Sequence, residues 1–144
     1  MKTASRYSKS SYKTTVIAFV ILINFVVYFY SGVDKLIHFN EFVLNFSKSP
    51  FAPSDLINEL SFCVVGIELG ICFLCFFNKF QKLACLLFMI MSYVFSGYVL
   101  LMITYSPYLP CSCGGLIDFL TWNEHLALNI SLTTISGYAT IISE

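Results

Sequence analysis

The sequence has few charged residues. Only 11% of its 144 residues are Asp, Glu, Lys or Arg, whereas 58% are hydrophobic. A soluble domain carries about 25% charged residues and needs them on its surface. So low a charge content argues against a soluble domain and predicts a protein whose solvent is the lipid bilayer. The formal net charge is zero, so nothing in the composition indicates a nucleic-acid partner.

The chain also lacks internal repeats and low-complexity tracts, and its length fits one domain, residues 1–144. Its apolar residues form runs close to the ~20 residues that cross a hydrocarbon core as a helix, at about 15–30, 56–77, 83–104 and 122–142. No small-x-small cleavage site follows the first run, which favours an uncleaved anchor over a signal peptide. The sequence therefore predicts an all-α, four-helix transmembrane bundle.

Basic residues are absent from the connection between the third and fourth runs, and their distribution predicts the orientation of the chain. Short loops rich in Lys and Arg lie in the cytoplasm. Such residues precede the first run or lie in the 78–82 turn: Lys2, Arg6, Lys9, Lys13, Lys79 and Lys82. Both termini and this turn are therefore predicted to be cytoplasmic, and the other two connections are predicted to face outward.

The two outer connections are each predicted to contain a short interfacial helix. The first has apolar residues at helical spacing, namely Phe39, Phe42, Val43 and Phe46. That stripe predicts a helix whose phenylalanines enter the headgroup boundary. In the second, Leu116–Leu120 is predicted to form another interfacial turn. Thr121 and Glu124 fit a capping box for the fourth helix, and Trp122 is predicted to lie in an interfacial aromatic belt.

The second outer connection contains the pair Cys111 and Cys113, separated by Ser112. The predicted orientation places both thiols on the oxidising side of a bacterial membrane. A bridge with one intervening residue closes a very small ring, and strained, exposed disulfides are the labile or catalytic ones. A protonated His125 nearby would lower the pKa of a neighbouring thiol. Redox exchange is the favoured interpretation, with a static disulfide and a metal site, which would need ligands from elsewhere, as alternatives.

Glu68 lies near the middle of the second run. A carboxylate at that depth costs ~2.5–3.5 kcal/mol on insertion scales, so it should face the bundle and be partnered or protonated. One interpretation is a proton relay or a polar contact beneath the cysteine connection. The other is a hydrogen bond between helices, for which Asn24, Tyr28 and Asn129 are the candidate partners.

Two further groups of residues have structural interpretations that are favoured over functional ones. Cys72 and Cys75 have the spacing of a thioredoxin motif, but thiols in apolar surroundings have a raised pKa and are inert. Packing is therefore predicted for them and for Cys63 and Cys85. Asp34, Lys35 and His38 could form an ion cluster on the outer surface, and anchoring at the interface is the favoured interpretation.

These motifs together resemble the MauE group of the DoxX-like membrane protein family. The matching segments are Ser31–Leu36, read as the exit from the first helix, Ile67–Gly70, Pro110–Gly115 and Trp122–His125. The resemblance implies a four-helix bundle in the bacterial inner membrane. It implies a role in maturing a periplasmic, disulfide-rich methylamine dehydrogenase subunit beside a thioredoxin-like partner. Other DoxX relatives are linked to quinone-coupled oxidation.

We therefore expect an inner-membrane, redox-associated protein that supports thiol–disulfide exchange or the maturation of exported proteins. Cys111 and Cys113 would exchange with an exported thioredoxin-like protein, His125 would tune the thiolate, and Glu68 would contact a proton path or a quinone. No resident metal is expected. A membrane scaffold or chaperone with a structural bridge is the alternative, and a small-molecule carrier is a third candidate. Whether the chain is an enzyme stays open.

Overall fold

The computed structural model describes residues 2–49, 54–105 and 120–142, with side chains in the first segment described from Tyr12 onward. Within these residues the regular elements are helices and two short 3-10 turns. They are α1 (Lys2–Ile37), α2 (Phe39–Ser47), a turn at Ser54–Leu56, α3 (Ile57–Leu74), a turn at Asn78–Phe80, α4 (Gln81–Tyr105) and α5 (Trp122–Ile142). The all-α prediction is confirmed for the described residues.

Three segments are long and apolar enough to cross a membrane: Tyr12–Ile37, Ile57–Leu74 and Asn78–Tyr105. The fourth predicted span coincides with α5, whose 21 residues correspond to about 31 Å of helix and thus to the length of a crossing. It is more polar than the other three, with Asn123, Glu124, His125 and Asn129 in its first half. The structure therefore supports three candidate spans by length and composition among the described residues.

α1 does not end where the sequence suggested. The helix continues through Ser31 and Gly32 to Ile37, although this segment was interpreted as the exit from the helix. Gly32 is buried, and a Cβ atom there would lie 2.9 Å from Cδ2 of Leu69. The glycine thus allows α3 to approach α1 closely, and the packing of the two helices outweighs the low helix propensity of glycine.

The core joins α1, α3, α4 and α5. Its main buried cluster comprises Tyr28, Ile71, Cys72, Ala84, Phe88 and Leu132. A hydrogen bond of 2.7 Å between the Tyr28 hydroxyl and Ser92 Oγ connects α1 to α4. α5 packs along α4 more extensively than any other pair of helices, and a Cβ atom at Gly137 would lie 3.3 Å from Sδ of Met89.

α2 forms as predicted, but its phenylalanines face the protein. Phe42 is buried, the Phe39 ring centroid lies 4.4 Å from that of Phe62 in α3, and the Phe46 centroid lies 6.1 Å from that of Tyr98 in α4. Contacts between aromatic rings of this kind stabilise the packing of α2 on α3 and α4. The expectation that the phenylalanines enter the headgroup boundary is therefore wrong for Phe42, and the interfacial position of α2 stays a prediction. In the second outer connection, residues 116–119 lie outside the described part of the chain.

Candidate functional site

Glu68 faces the interior of the bundle and forms an ion pair with Lys35. Lys35 Nζ donates to Glu68 Oε1 over 2.5 Å, and the two side chains are 6% and 0% exposed. The inward orientation agrees with the expectation for a carboxylate in an apolar helix. The partner does not, because the sequence had suggested Asn24, Tyr28 or Asn129. A cation satisfies the buried carboxylate better than a neutral amide or hydroxyl group.

Two aromatic rings complete the surroundings of the Lys35 ammonium group. Lys35 Nζ lies 5.1 Å from the ring centroid of Phe95 and 5.6 Å from that of Phe42. Both distances are within the range of a cation–π interaction. The ammonium group on α1 is thus held by rings from α2 and α4 and by the carboxylate of α3.

The structure separates Lys35 from the other two members of the predicted ion cluster. Asp34 Oδ1 and His38 Nδ1 lie 3.2 Å apart, one turn from each other on α1, whereas Lys35 points inward. The sequence contained a signal for this orientation. Polar residues spaced by three or four positions form one stripe on an otherwise apolar helix, and such a stripe faces the protein interior in lipid; it consists of Asn24, Tyr28, Ser31 and Lys35.

A cavity of about 190 Å³ lies beside the ion pair, and all five helices contribute to its walls. Both Lys35 and Glu68 line it. Its other walls are mainly apolar and include six aromatic side chains, those of Tyr28, Phe42, Phe46, Phe95, Tyr98 and Trp122. The cavity therefore combines flat apolar surfaces with a buried pair of opposite charges.

Some buried polar atoms of the residues that line this cavity have no hydrogen-bond partner among the described residues, namely Glu68 Oε2, His125 Nδ1 and Asn129 Nδ2. A buried polar atom without a partner costs about 1–3 kcal/mol. Glu68 and Asn129 are 0% and 4% exposed, so bulk water does not reach them. These atoms could bind a molecule that offers the complementary groups.

A capping box fixes the start of α5 and with it two residues of the cavity. The Thr121 amide donates to Glu124 Oε2 over 2.8 Å, and the Glu124 amide donates to Thr121 Oγ1 over 3.4 Å. The predicted capping box is confirmed. It begins the helix so that Trp122 and His125 line the cavity. Trp122, predicted to lie in an aromatic belt, thus forms part of the cavity wall.

Cys111 and Cys113 lie outside the described residues, so the structure leaves their pairing and their relation to His125 as predictions. The helices on either side of their connection are described. α4 contributes Tyr98 to the cavity, close to its C-terminal end, and α5 contributes residues of its first two turns. The cavity therefore lies at the end of the bundle where the cysteine connection leaves α4 and enters α5.

The other cysteines are free thiols. Cys72 and Cys85 are buried in the core, and Cys75 Sγ, half-buried, donates to the Ile71 carbonyl over 3.5 Å. The positions of Cys72, Cys75 and Cys85 agree with the prediction that these cysteines are packing residues. Cys63 is exposed on α3, so the packing prediction is wrong for this residue. No group of three or more His, Cys, Asp or Glu side chains that could hold a metal ion occurs within residues 2–49, 54–105 and 120–142.

Comparison with known proteins gives one finding. A family model described as methylamine utilisation protein MauE matches residues 13–142 of the chain. No curated protein and no solved structure matches it.

Proposed function

The chain belongs to the MauE family, and from this premise we propose that it is a four-span protein of the bacterial inner membrane that supports thiol–disulfide exchange on exported proteins. α5 is the fourth span in this proposal. Cys111 and Cys113 are the exchanging pair, and an exported thioredoxin-like protein is the partner. The observation that carries the proposal is the cavity around the buried Lys35–Glu68 pair, at the end of the bundle from which the cysteine connection extends.

The proposed orientation rests on the positive-inside rule, by which cytoplasmic loops carry an excess of Lys and Arg. The proposed cytoplasmic side has Lys79, Lys82 and the basic N-terminal segment. The proposed outer side has Lys35, near the end of α1, and Lys48.

The proposed exchange needs no reactant beyond the two proteins. The thiolate of one cysteine attacks a disulfide of the partner, one partner sulfur leaves as a thiolate, and a mixed disulfide forms. The second cysteine then attacks this mixed disulfide and releases the other partner sulfur. The net result is one disulfide in the connection and one dithiol in the partner. His125, in the first turn of α5, favours the attacking thiolate when it is protonated.

Trapping the mixed disulfide tests the proposal. Removing the resolving cysteine should leave the partner covalently attached to the other one, so either Cys111→Ser or Cys113→Ser should accumulate an adduct with an exported protein. The adduct should disappear on reduction, as seen on non-reducing gels of cells that express the protein at native level. The double variant should form none. Cys63→Ser, which removes an exposed thiol elsewhere, should change neither result.

Two results together would refute the exchange proposal. If neither single variant traps a protein, and if the wild-type pair is fully oxidised in every growth condition, the bridge is structural. The protein would then be a membrane scaffold whose cysteines shape the connection, and the exchange proposal would be wrong.

A further inference from the structure

The end of the bundle that contains the turn between α3 and α4 carries basic residues without acidic ones. Lys13, Lys79 and Lys82 are exposed there. No Asp or Glu occurs within residues 12–33, 69–105 or 126–142, so the described helices offer these ammonium groups no carboxylate. We call this surface the basic end; it consists of the three lysines and the N-terminal segment of α1 that precedes Tyr12.

Contacts between α1 and α4 place Lys13 at the same end as the turn. Val20 on α1 shares a buried cluster with Cys85, which lies near the start of α4. Further along both helices, the hydroxyl groups of Tyr28 and Ser92 are hydrogen-bonded to each other. The two helices therefore run in the same direction. Lys13 precedes the first of these contacts on α1, and the turn precedes it on α4, so their charges lie at one end of the bundle.

α1 extends the basic end beyond the apolar span. The candidate span begins at Tyr12, whereas the helix begins at Lys2, so about 15 Å of helix precede the span. Basic positions in this part of the chain follow one another at intervals of four, three and four residues, and such positions share one face of a helix. They are Lys2, Arg6, Lys9 and Lys13. The basic positions therefore continue along α1 from the level of the turn.

Exposed rings beside the lysines indicate the depth of the basic end in a bilayer. Tyr12 precedes Lys13 and is 61% exposed, and tyrosine is enriched at membrane–water interfaces. Phe80 is exposed between Lys79 and Lys82, and contact of the turn with the bilayer surface removes this ring from water. A lysine at that depth reaches the headgroups with its long side chain. We therefore expect the ammonium groups to lie at the level of the lipid phosphates.

We propose that the basic end binds the phosphate groups of anionic phospholipids and enriches these lipids around the start of α1 and the turn. A phosphodiester group supplies the missing negative charge and accepts charge-assisted hydrogen bonds from ammonium groups. A zwitterionic headgroup brings its own cation, and a partner from the aqueous phase would leave Phe80 uncovered. The inference goes beyond the proposed function, because it assigns a lipid partner at the end opposite to the cavity and does not depend on Cys111 or Cys113.

Spin-labelled lipids test the proposal. The purified full-length protein is reconstituted into phosphatidylcholine vesicles that contain a trace of spin-labelled phosphatidylglycerol or, in a parallel sample, spin-labelled phosphatidylcholine. Electron paramagnetic resonance separates the lipid held at the protein surface from the bulk lipid. At low ionic strength we expect phosphatidylglycerol to associate about fivefold more strongly, the factor that one basic residue contributes at an anionic surface. The preference should fall as salt is added, because salt screens exposed charges.

Two lysine substitutions form a matched pair for this measurement. Lys82→Gln removes one charge from the basic end and should reduce the preference for phosphatidylglycerol at least twofold. Lys48 is also exposed, but it lies in the connection after α2, at the other end of the bundle. Lys48→Gln removes an equal charge and should leave the preference unchanged. The triple variant Lys13→Gln/Lys79→Gln/Lys82→Gln, if folded by circular dichroism, should lose most of the preference.

Three outcomes would overturn the lipid site. The first is equal association of the two spin-labelled lipids with wild-type protein, whose salt dependence needs no substitution. The second is an equal loss of preference in Lys82→Gln and Lys48→Gln. The third is displacement of phosphatidylglycerol at constant ionic strength, either by inorganic phosphate, which would indicate a site for free phosphate, or by polyglutamate, which would indicate an acidic protein partner. The double variant Cys111→Ser/Cys113→Ser should retain the lipid preference even if trapping fails, so the two proposals are tested separately.

Discussion

Lys35 near the end of α1 and Glu68 within α3 form a buried ion pair 2.5 Å long. The pair joins two helices through residues that lie 33 positions apart in sequence. In a low-dielectric interior each charge stabilises the other, and loss of either one leaves its partner uncompensated. The same two residues line the cavity, so the contact that holds α1 to α3 also determines the polarity of the candidate site.

Removing one member of this pair should destabilise the protein much more than removing both. If Glu68 had only neutral hydrogen-bond partners, Glu68→Gln would be expected to retain the fold, since an amide keeps most of the hydrogen-bonding capacity. With Lys35 as partner, both Glu68→Gln and Lys35→Met should lower the free energy of unfolding by about 3–5 kcal/mol. Lys35→Met/Glu68→Gln should recover most of that loss. Reversible unfolding in mixed micelles measures these values.

Glu59→Gln is the matched control for the ion pair, because Glu59 is exposed in the first turn of the same helix. It should change stability by less than about 0.5 kcal/mol. Additive effects of the two substitutions in the pair would contradict a direct interaction between Lys35 and Glu68.

Gly32 should tolerate no larger side chain, since a Cβ atom there would lie 2.9 Å from Leu69 Cδ2 and 3.6 Å from Glu68 Cβ. Gly32→Val should cost about 1–3 kcal/mol through overpacking, and Leu69→Ala in the same chain should recover part of it. Gly66→Val is the control, because nothing lies within 4 Å of its Cβ position. Equal effects at the two glycines, in the same micelle assay, would refute the close approach of α1 and α3.

The orientation of the chain can be tested with two asparagine positions that are both exposed, Asn40 in α2 and Asn78 in the turn before α4. In a Cys63→Ser/Cys111→Ser/Cys113→Ser background, an impermeant maleimide should label Asn40→Cys in intact cells. It should label Asn78→Cys only after lysis, as it should Ser5→Cys. The reverse pattern would overturn the proposed topology and the oxidising environment of the cysteine pair.

Loss of the cap should loosen the start of α5. Thr121→Ala removes the acceptor of the Glu124 amide and should cost about 1 kcal/mol. It should also speed amide hydrogen exchange in the first turn, at Trp122 and His125. Thr134→Ala provides the comparison, since Thr134 is exposed on α5 and its hydroxyl bonds only within its own helix, to the Ile130 carbonyl. Unchanged exchange in Thr121→Ala would show that packing alone sets the start of α5.

Features that depend on neighbours in sequence were predictable. Apolar runs indicated helices close to α3, α4 and α5, the spacing of Thr121 and Glu124 indicated the capping box, and the cost of a charge in lipid indicated that Glu68 faces inward. Each of these follows from a residue and its surroundings within a few turns of helix.

Features that depend on distant contacts were not predictable. From the sequence, Lys35 was predicted to lie on the surface and Gly32 was interpreted as part of a helix exit, because both residue types are common near the end of a helix. Only the approach of α3 makes one an interior cation and the other a packing position. The cavity was missed for the same reason, since its walls come from five separate helices.

The position of the ion pair along the two helices has a consequence for the order of membrane insertion. α1 is synthesised first, and Lys35 lies close enough to its C-terminal end for its long side chain to reach the headgroups while no partner exists. Glu68 lies in the interior of α3, and its short side chain has no such route to water. Lys35, which is synthesised first, can therefore remain in the interface until α3 is inserted. Glu68 then enters a bilayer in which its counterion is already present.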